Sequence, residues 1–269
     1  MTTRSATRPG LVLLGATLAC AAGLLPAGLG TTAASAQSRA AGALPRIGVL
    51  RGGGEALVKE GGLSASWVLE HDGVVQIALA GDRIGVLTGD GRAWVKEGGL
   101  STNWVLEHDD VKQLALSGDR IGVLRGDGRA WVKEGGLSAS WVLEHDNVKQ
   151  LALSGDRIGV VRAGGVALVK AGGLSATWVI ENTAVKQLVL AGDRIGVVRG
   201  DGTALVKEGG LSATWVTENL DVLELALAGN RIGVLKATGE ALVKEGGLSA
   251  TWVTENTEVV DLALSSGTD

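Results

Sequence analysis

The sequence predicts an all-β protein, a six-bladed β-propeller of four-stranded blades, on three observations. The tripeptide Arg-Ile-Gly begins at Arg46, Arg83, Arg120, Arg157, Arg194 and Arg231, each start 37 residues after the one before. A fixed period of this length marks a solenoid, propeller or array. Each period holds four short apolar runs bounded by Gly, Asp or Ser, a pattern of strands and turns rather than of helices. The two ends of the array are complementary halves. The first unit opens at Arg46 with what is elsewhere the second run, and Gln37 to Ala43 have the wrong composition for the first. The missing run stands at the other end, Val259 to Ser265, in register with the run that opens at Val222. A ring in which the C-terminal strand completes the N-terminal blade accounts for both ends. An open solenoid calls for polar capping repeats instead, and a pair of three-fold trefoils leaves the overhang unexplained. Closure also hides the sheet edges that invite aggregation.

Within a unit the elements follow in order, and the third shows them well. Val111 to Ser117 is the first strand, ended by the turn dipeptide Gly118-Asp119. Arg120 to Leu124 is the second, closed by Gly126-Asp127-Gly128, a hairpin signal between two apolar runs. Arg129 to Glu134 is the third, stopped by Gly135-Gly136, and Trp141 to His145 is the fourth. A small four-stranded sheet cannot bury both faces by itself, so it needs a neighbour on each, as a propeller blade has. Ala115 and Gly122 are small mid-strand residues at repeated positions. They suit the crowded inner strands, which places the first two strands inward and the fourth outward.

Residues 1–36 read as a signal peptide. Arg4 and Arg8 form its basic start, Leu11 to Leu29 its apolar stretch, and Ala34-Ser35-Ala36 its cleavage site. The expected location is secreted, with association at the cell surface as a variant. Cys20, the single cysteine, lies inside this leader, so the mature chain has no disulfide. A lipoprotein cysteine is the alternative, but Thr17 stands where such signals usually carry Leu. Residues 37–44 are a linker, and residues 45–269 are one propeller domain. The apolar stretch is too broken by Gly and Pro26 for a membrane span. The formal net charge is −4 before the two leader arginines are removed. An acidic chain argues against nucleic acid and against anionic membrane surfaces as partners.

The chain has no Phe and no Tyr but eight Trp. Six occupy one repeat position: Trp67, Trp104, Trp141, Trp178, Trp215 and Trp252. Trp94 and Trp131 are extra, where the other units have Leu57, Leu168, Leu205 and Leu242. Two readings of the six stand side by side. An indole face suits the C–H face of a sugar ring, and an indole also fills the seam between blades while burying ~150–250 Å². Lys59, Lys96, Lys133, Lys170, Lys207 and Lys244 also repeat, as do the six arginines that open the second strand. These read either as a polar ring lining a groove or as a solvated rim with turn-capping Asp, and the rim is the expectation.

His71, His108 and His145 share one repeat position, which later units fill with Asn182, Asn219 and Asn256. Metal binding requires convergence within a few ångström, and equivalent loops of neighbouring blades lie too far apart for it. No metal or other cofactor is expected. Glu144 and Asp146 resemble a glycosidase pair, but an active site is one asymmetric constellation and these acids recur from unit to unit. The chain carries no nucleophile elbow and no phosphate loop, so a non-enzyme is expected.

The stretch Val111 to Gly128, VKQLALSGDRIGVLRGDG, resembles tectonin-type repeats, with Trp opening the last strand of the unit. The resemblance covers the array from Arg46 onward. It implies a six-bladed propeller with a secreted, carbohydrate-binding role. On that basis the expected function is a multivalent lectin for glycans or cell-surface polysaccharide. Its sites would lie between blades, on Trp67, Trp104, Trp141, Trp178, Trp215 and Trp252, with Lys96 and Lys133 beside them. An extracellular protein–protein interaction scaffold is the alternative, and a glycan hydrolase the third reading.

Overall fold

The computed structural model describes residues 44–264. The stretch expected to be a leader, nearly all of the expected linker, and the last five residues lie outside the described residues. The first sheet holds β1 (Arg46–Leu50), β2 (Ala56–Glu60) and β3 (Val68–His71). The second holds β4 (Val74–Ala80), β5 (Arg83–Thr88), β6 (Ala93–Glu97) and β7 (Val105–His108). The third holds β8 (Val111–Ser117), β9 (Arg120–Arg125), β10 (Ala130–Glu134) and β11 (Val142–His145). The fourth holds β12 (Val148–Ser154), β13 (Arg157–Arg162), β14 (Ala167–Ala171) and β15 (Val179–Asn182). The fifth holds β16 (Val185–Ala191), β17 (Arg194–Arg199), β18 (Ala204–Glu208) and β19 (Val216–Asn219). The sixth holds β20 (Val222–Ala228), β21 (Arg231–Lys236), β22 (Ala241–Glu245) and β23 (Val253–Asn256).

Each sheet is one blade of a six-bladed β-propeller, and its strands pair in sequence order. All ladders are antiparallel, and no helix occurs among the described residues. The first strand of each complete blade faces the axis. Gln76, Gln113 and Gln150 with Ala78, Ala115 and Ala152 line an axial cavity of about 50 Å³, room for a few waters and no more. The predicted inward order of strands is the observed one. Each of the six repeated indoles stands one residue before its strand rather than in it, Trp141 before Val142 for example.

The core lies between blades. Leu87, Ala93 and Val95 of the second blade pack on Val111, Leu114, Ile121 and Val123 of the third. Burying each such Val, Leu or Ile side chain contributes about 1.5–3 kcal/mol, so the seams hold the stack together. The repeated mid-strand glycine is set by the next blade. A Cβ at Gly122 would stand 2.8 Å from Leu151 Cδ2 and 3.0 Å from Leu153 Cδ1. The same two leucines recur against Gly85, Gly159, Gly196 and Gly233.

The closing strand differs from expectation. Residues 259–264 are seated on the sixth blade as the first strand of a following blade would be. Leu262 and Leu264 cover Gly233, and the Val259 N–H donates to the Gly239 carbonyl at 2.9 Å. Among the described residues, however, they form no ladder with β1, and the first sheet has three strands. Stacking on the preceding blade and pairing with the next strand are separate contacts, and only the first is made.

Candidate functional site

The predicted site residues gather at the seams, and the seam between the second and third blades shows how. On β10 and β11, Ala130 pairs with His145 and Trp131 with Leu143, so Glu144 is an extra bulged residue. The equivalent bulge on β7 sets Glu107 apart between Leu106 and His108. A bulge re-aims a side chain, and here it turns the carboxylate toward the next blade. There Glu107 forms an ion pair with Lys133 of β10. The ammonium also donates to the Leu137 carbonyl and stands 5.1 Å from the Trp141 ring centre. Three partners thus surround a group with three N–H donors, which is how a lysine comes to be buried.

The unit repeats at five seams. The pairs are Lys96–Glu70, Lys133–Glu107, Lys170–Glu144, Lys207–Glu181 and Lys244–Glu218. Every one of the six lysines stands about 5 Å from its own indole. The solvated lysine rim expected from sequence is therefore corrected: Lys96 and Lys133 are buried, because their carboxylates come from another blade. One oxygen of Glu107 and one of Glu144 remain buried without a protein partner. Burial raises both carboxyls above the usual range, and Lys133 and Lys170 pull them back only in part.

Five of the six arginines that open the second strands, all but Arg231, are interior too. Arg83 binds Glu97 of its own blade at 3.1 Å and donates to the Gly135 carbonyl of the next. Nearer the axis, Gln76 donates to the Leu114 carbonyl at 2.8 Å and accepts from the Leu114 N–H at 3.0 Å. Gln113, Gln150 and Gln187 make the same two-way clamp. The clamp glutamines and the pairing of Lys with a distant Glu were missed by sequence reasoning. The only signal was their repetition.

The indoles pack in the seams. Trp104, Trp141, Trp178, Trp215 and Trp252 are half-buried against core clusters, and Trp67, on the first blade, is 42% exposed. The Trp104 indole N–H donates to the Glu70 carbonyl at 3.2 Å. The histidines meet them from the preceding blade: His71, His108 and His145 stand edge-on to Trp104, Trp141 and Trp178 at 5.7, 5.9 and 5.9 Å. Each histidine Nδ1 lies within hydrogen-bond distance of the next residue's carbonyl. Among the described residues no group of three His, Cys, Asp or Glu side chains is placed to hold a metal ion.

What the seams withhold from solvent, the outer strands expose. Val68 and Leu69, Val105 and Leu106, Val142 and Leu143, and Val179 and Ile180 are all exposed on the outermost strands of the first four blades. The fifth and sixth blades have Thr217 and Thr254 at the second of these positions.

No protein-family model and no curated protein matches the chain. Solved structures do resemble it. Human WBSCR16 superposes with a TM-score of 0.64 at 17% identity, over 81% of this chain and 76% of that one. Yeast RCC1 (Prp20), in its complex with Kap60, gives 0.58 at 12% identity, over 82% and 73%. Kluyveromyces lactis Hsv2 gives 0.55 at 15% identity, over 72% and 68%. At these identities the likeness is one of fold, and the chain is a β-propeller of repeated four-stranded units.

Proposed function

We propose that the chain is an exported, non-catalytic scaffold whose outer rim holds protein partners. The observation that carries this reading is the row of exposed aliphatic pairs on the outer strands, Leu69, Leu106, Leu143 and Ile180 foremost. Exposed apolar surface of this kind marks interaction sites, and the strands that bear it are short sheet edges open to pairing. The fold neighbours lean the same way. One structure of yeast Prp20p was reported with its binding to Gsp1p and histones, and another shows that protein with Kap60. The signal-peptide-like composition of residues 1–36 is what supports export in this reading.

The lectin reading, and with it the tectonin-type likeness, is second. In every seam a lysine ammonium already stands about 5 Å from the indole on which a sugar would stack. Trp67 supports this reading best, because it is the most exposed of the six.

The fifth and sixth blades supply the test, since they already carry Thr at this rim position. Leu69, Leu106, Leu143 and Ile180 are changed to Thr together. Melting should move by only a few degrees, while proteins cross-linked to the wild-type chain at the cell surface are lost. A variant that captures the same proteins would remove the rim from the site. Retention on a glycan array that vanishes in Trp67→Leu alone would put the lectin first.

A further inference from the structure

The two ends of the blade stack are the separated halves of a sixth seam. Each of the five built seams joins a Glu to a Lys, an Arg to a Gly carbonyl, and two branched aliphatic side chains to a Gly, Ile77 and Leu79 at Gly48 and leucine pairs at the other four. At the ends the glycine contact is made, by Leu262 and Leu264 on Gly233, but the charged groups stand without one another among the described residues. Lys59 has the Leu63 carbonyl at 2.6 Å and Trp67 at 4.9 Å, but no carboxylate among the described residues. Glu255, at the repeat position of the five seam glutamates, is exposed and has no ion pair among them. The Arg231 side chain is 42% exposed, whereas Arg83, Arg120 and Arg194 are at 3–4%. Arg231 reaches Glu245 but no glycine carbonyl, and by the repeat that carbonyl would be Gly61.

The apolar surfaces tell the same story. Ile47 and Val49 are 37% and 38% exposed, while their equivalents Ile84 and Val86 are at 0%. Among the described residues the axis-facing edge of β1 lacks a ladder partner, and so does the seated segment 259–264, where Val260 is 93% exposed. Among the described residues blade one has three strands, and segment 259–264 is stacked on blade six without belonging to its sheet.

We propose that these two ends join head to tail between copies of the chain. Residues 259–264 of one copy pair with β1 of the next and complete its first blade. Glu255 meets Lys59, and Arg231 meets the Gly61 carbonyl. The occupant is a second copy because the end faces are complementary in charge and in strand count, they continue an interface built five times over within the chain, and among the described residues of one chain they form no ladder or ion pair with each other. Such a contact is heterologous, so it builds a closed ring of copies or an open filament, depending on the rotation per copy. This goes beyond the scaffold reading and does not depend on it.

The test is charge exchange across the joint, read by sedimentation over a range of protein concentrations. The wild type should associate into multiples of the 27.3 kDa chain, less the leader if it is cleaved. Lys59→Glu alone and Glu255→Lys alone each set like charges at the joint and should weaken association by roughly a hundredfold. Mixing the two variants restores opposite charges at every joint, so assembly should return with alternating copies. Should Lys59→Glu fail to fold, Val49→Thr combined with Ile47→Thr tests the same face: association should fall while monomer melting stays put. A wild type that stays monomeric at every concentration overturns the proposal. So does a mixture of the two single variants that stays as dissociated as either variant alone.

Discussion

Ala184 stands in the left-handed region at φ 56°, in the turn that joins β15 to β16. Other seams place Gly73, Asp110, Asn147 and Asp221 at this turn position, with φ between 53° and 65°. Gly adopts such a backbone freely, and Asp and Asn tolerate it, but Ala has neither advantage. Ala184→Gly should therefore stabilise the chain by about 1 kcal/mol, seen as a higher denaturation midpoint. An unchanged or lower midpoint would mean the turn is held by something other than local preference. The glycines against leucine pairs predict the opposite sign. Gly122→Ala puts a methyl into space that Leu151 and Leu153 already fill, and overpacking of this kind costs about 1–3 kcal/mol.

At the scale of the strand and its seam, the buried Lys–Glu pair dominates. Lys133 and Glu107 have side chains at 1% and 2% exposure, on strands of different blades. Removing one partner leaves a charge in a dry seam, so Lys133→Met should destabilise by about 3–5 kcal/mol. The double variant Lys133→Met with Glu107→Leu should recover most of that loss, because apolar groups of similar volume replace the pair at little net cost. Melting of the two variants side by side decides it. A double variant no more stable than the single one would show that the Leu137 carbonyl and the Trp141 ring, not Glu107, hold the lysine in place. The pair also sets the register between blades, since Glu107 reaches the seam only through its bulge.

Across the whole molecule, the inner clamps change character toward the end of the chain. Four are glutamines, but the next position is Glu224 and the one after it Asp261. Glu224 accepts from the Leu262 N–H at 3.3 Å, and no donation back to the Leu262 carbonyl accompanies it. Burial first, and then the Asp261 charge, push its carboxyl up to about 7. A carboxyl raised in the folded state contributes stability that is full below its unfolded value and lost as pH rises through the folded one. The seating of the last strand should therefore weaken between about pH 5 and about pH 8. Glu224→Gln restores the two-way clamp and should flatten that dependence. Hydrogen exchange at the Leu262 amide reads it directly, and equal pH slopes in both proteins would refute it.

The fold and its elements were legible before any coordinates. Period, strand count, turn positions and the inward order of strands follow from local features: alternation, Gly and Asp punctuation, and small residues at fixed offsets. Those features act within a few residues of themselves, so a sequence displays them. The site was legible only in part. The repeated Trp, Lys and Glu were visible, but not that Lys133 is buried, since its carboxylate lies 26 residues back, across a blade boundary and behind a bulge. Its sequence neighbour Glu134 suggested a solvated rim, whereas the side chain answers to Glu107. Closure shows the same division. The half-units at the two ends belong to the sequence alone, because register is a count of residues. Whether Val259 to Leu264 meets β1 in its own chain depends on how five seams of packed Leu, Trp and buried charge add their angles. Only the tertiary structure decides that sum, because each angle comes from side chains of two blades that touch in space and not along the chain.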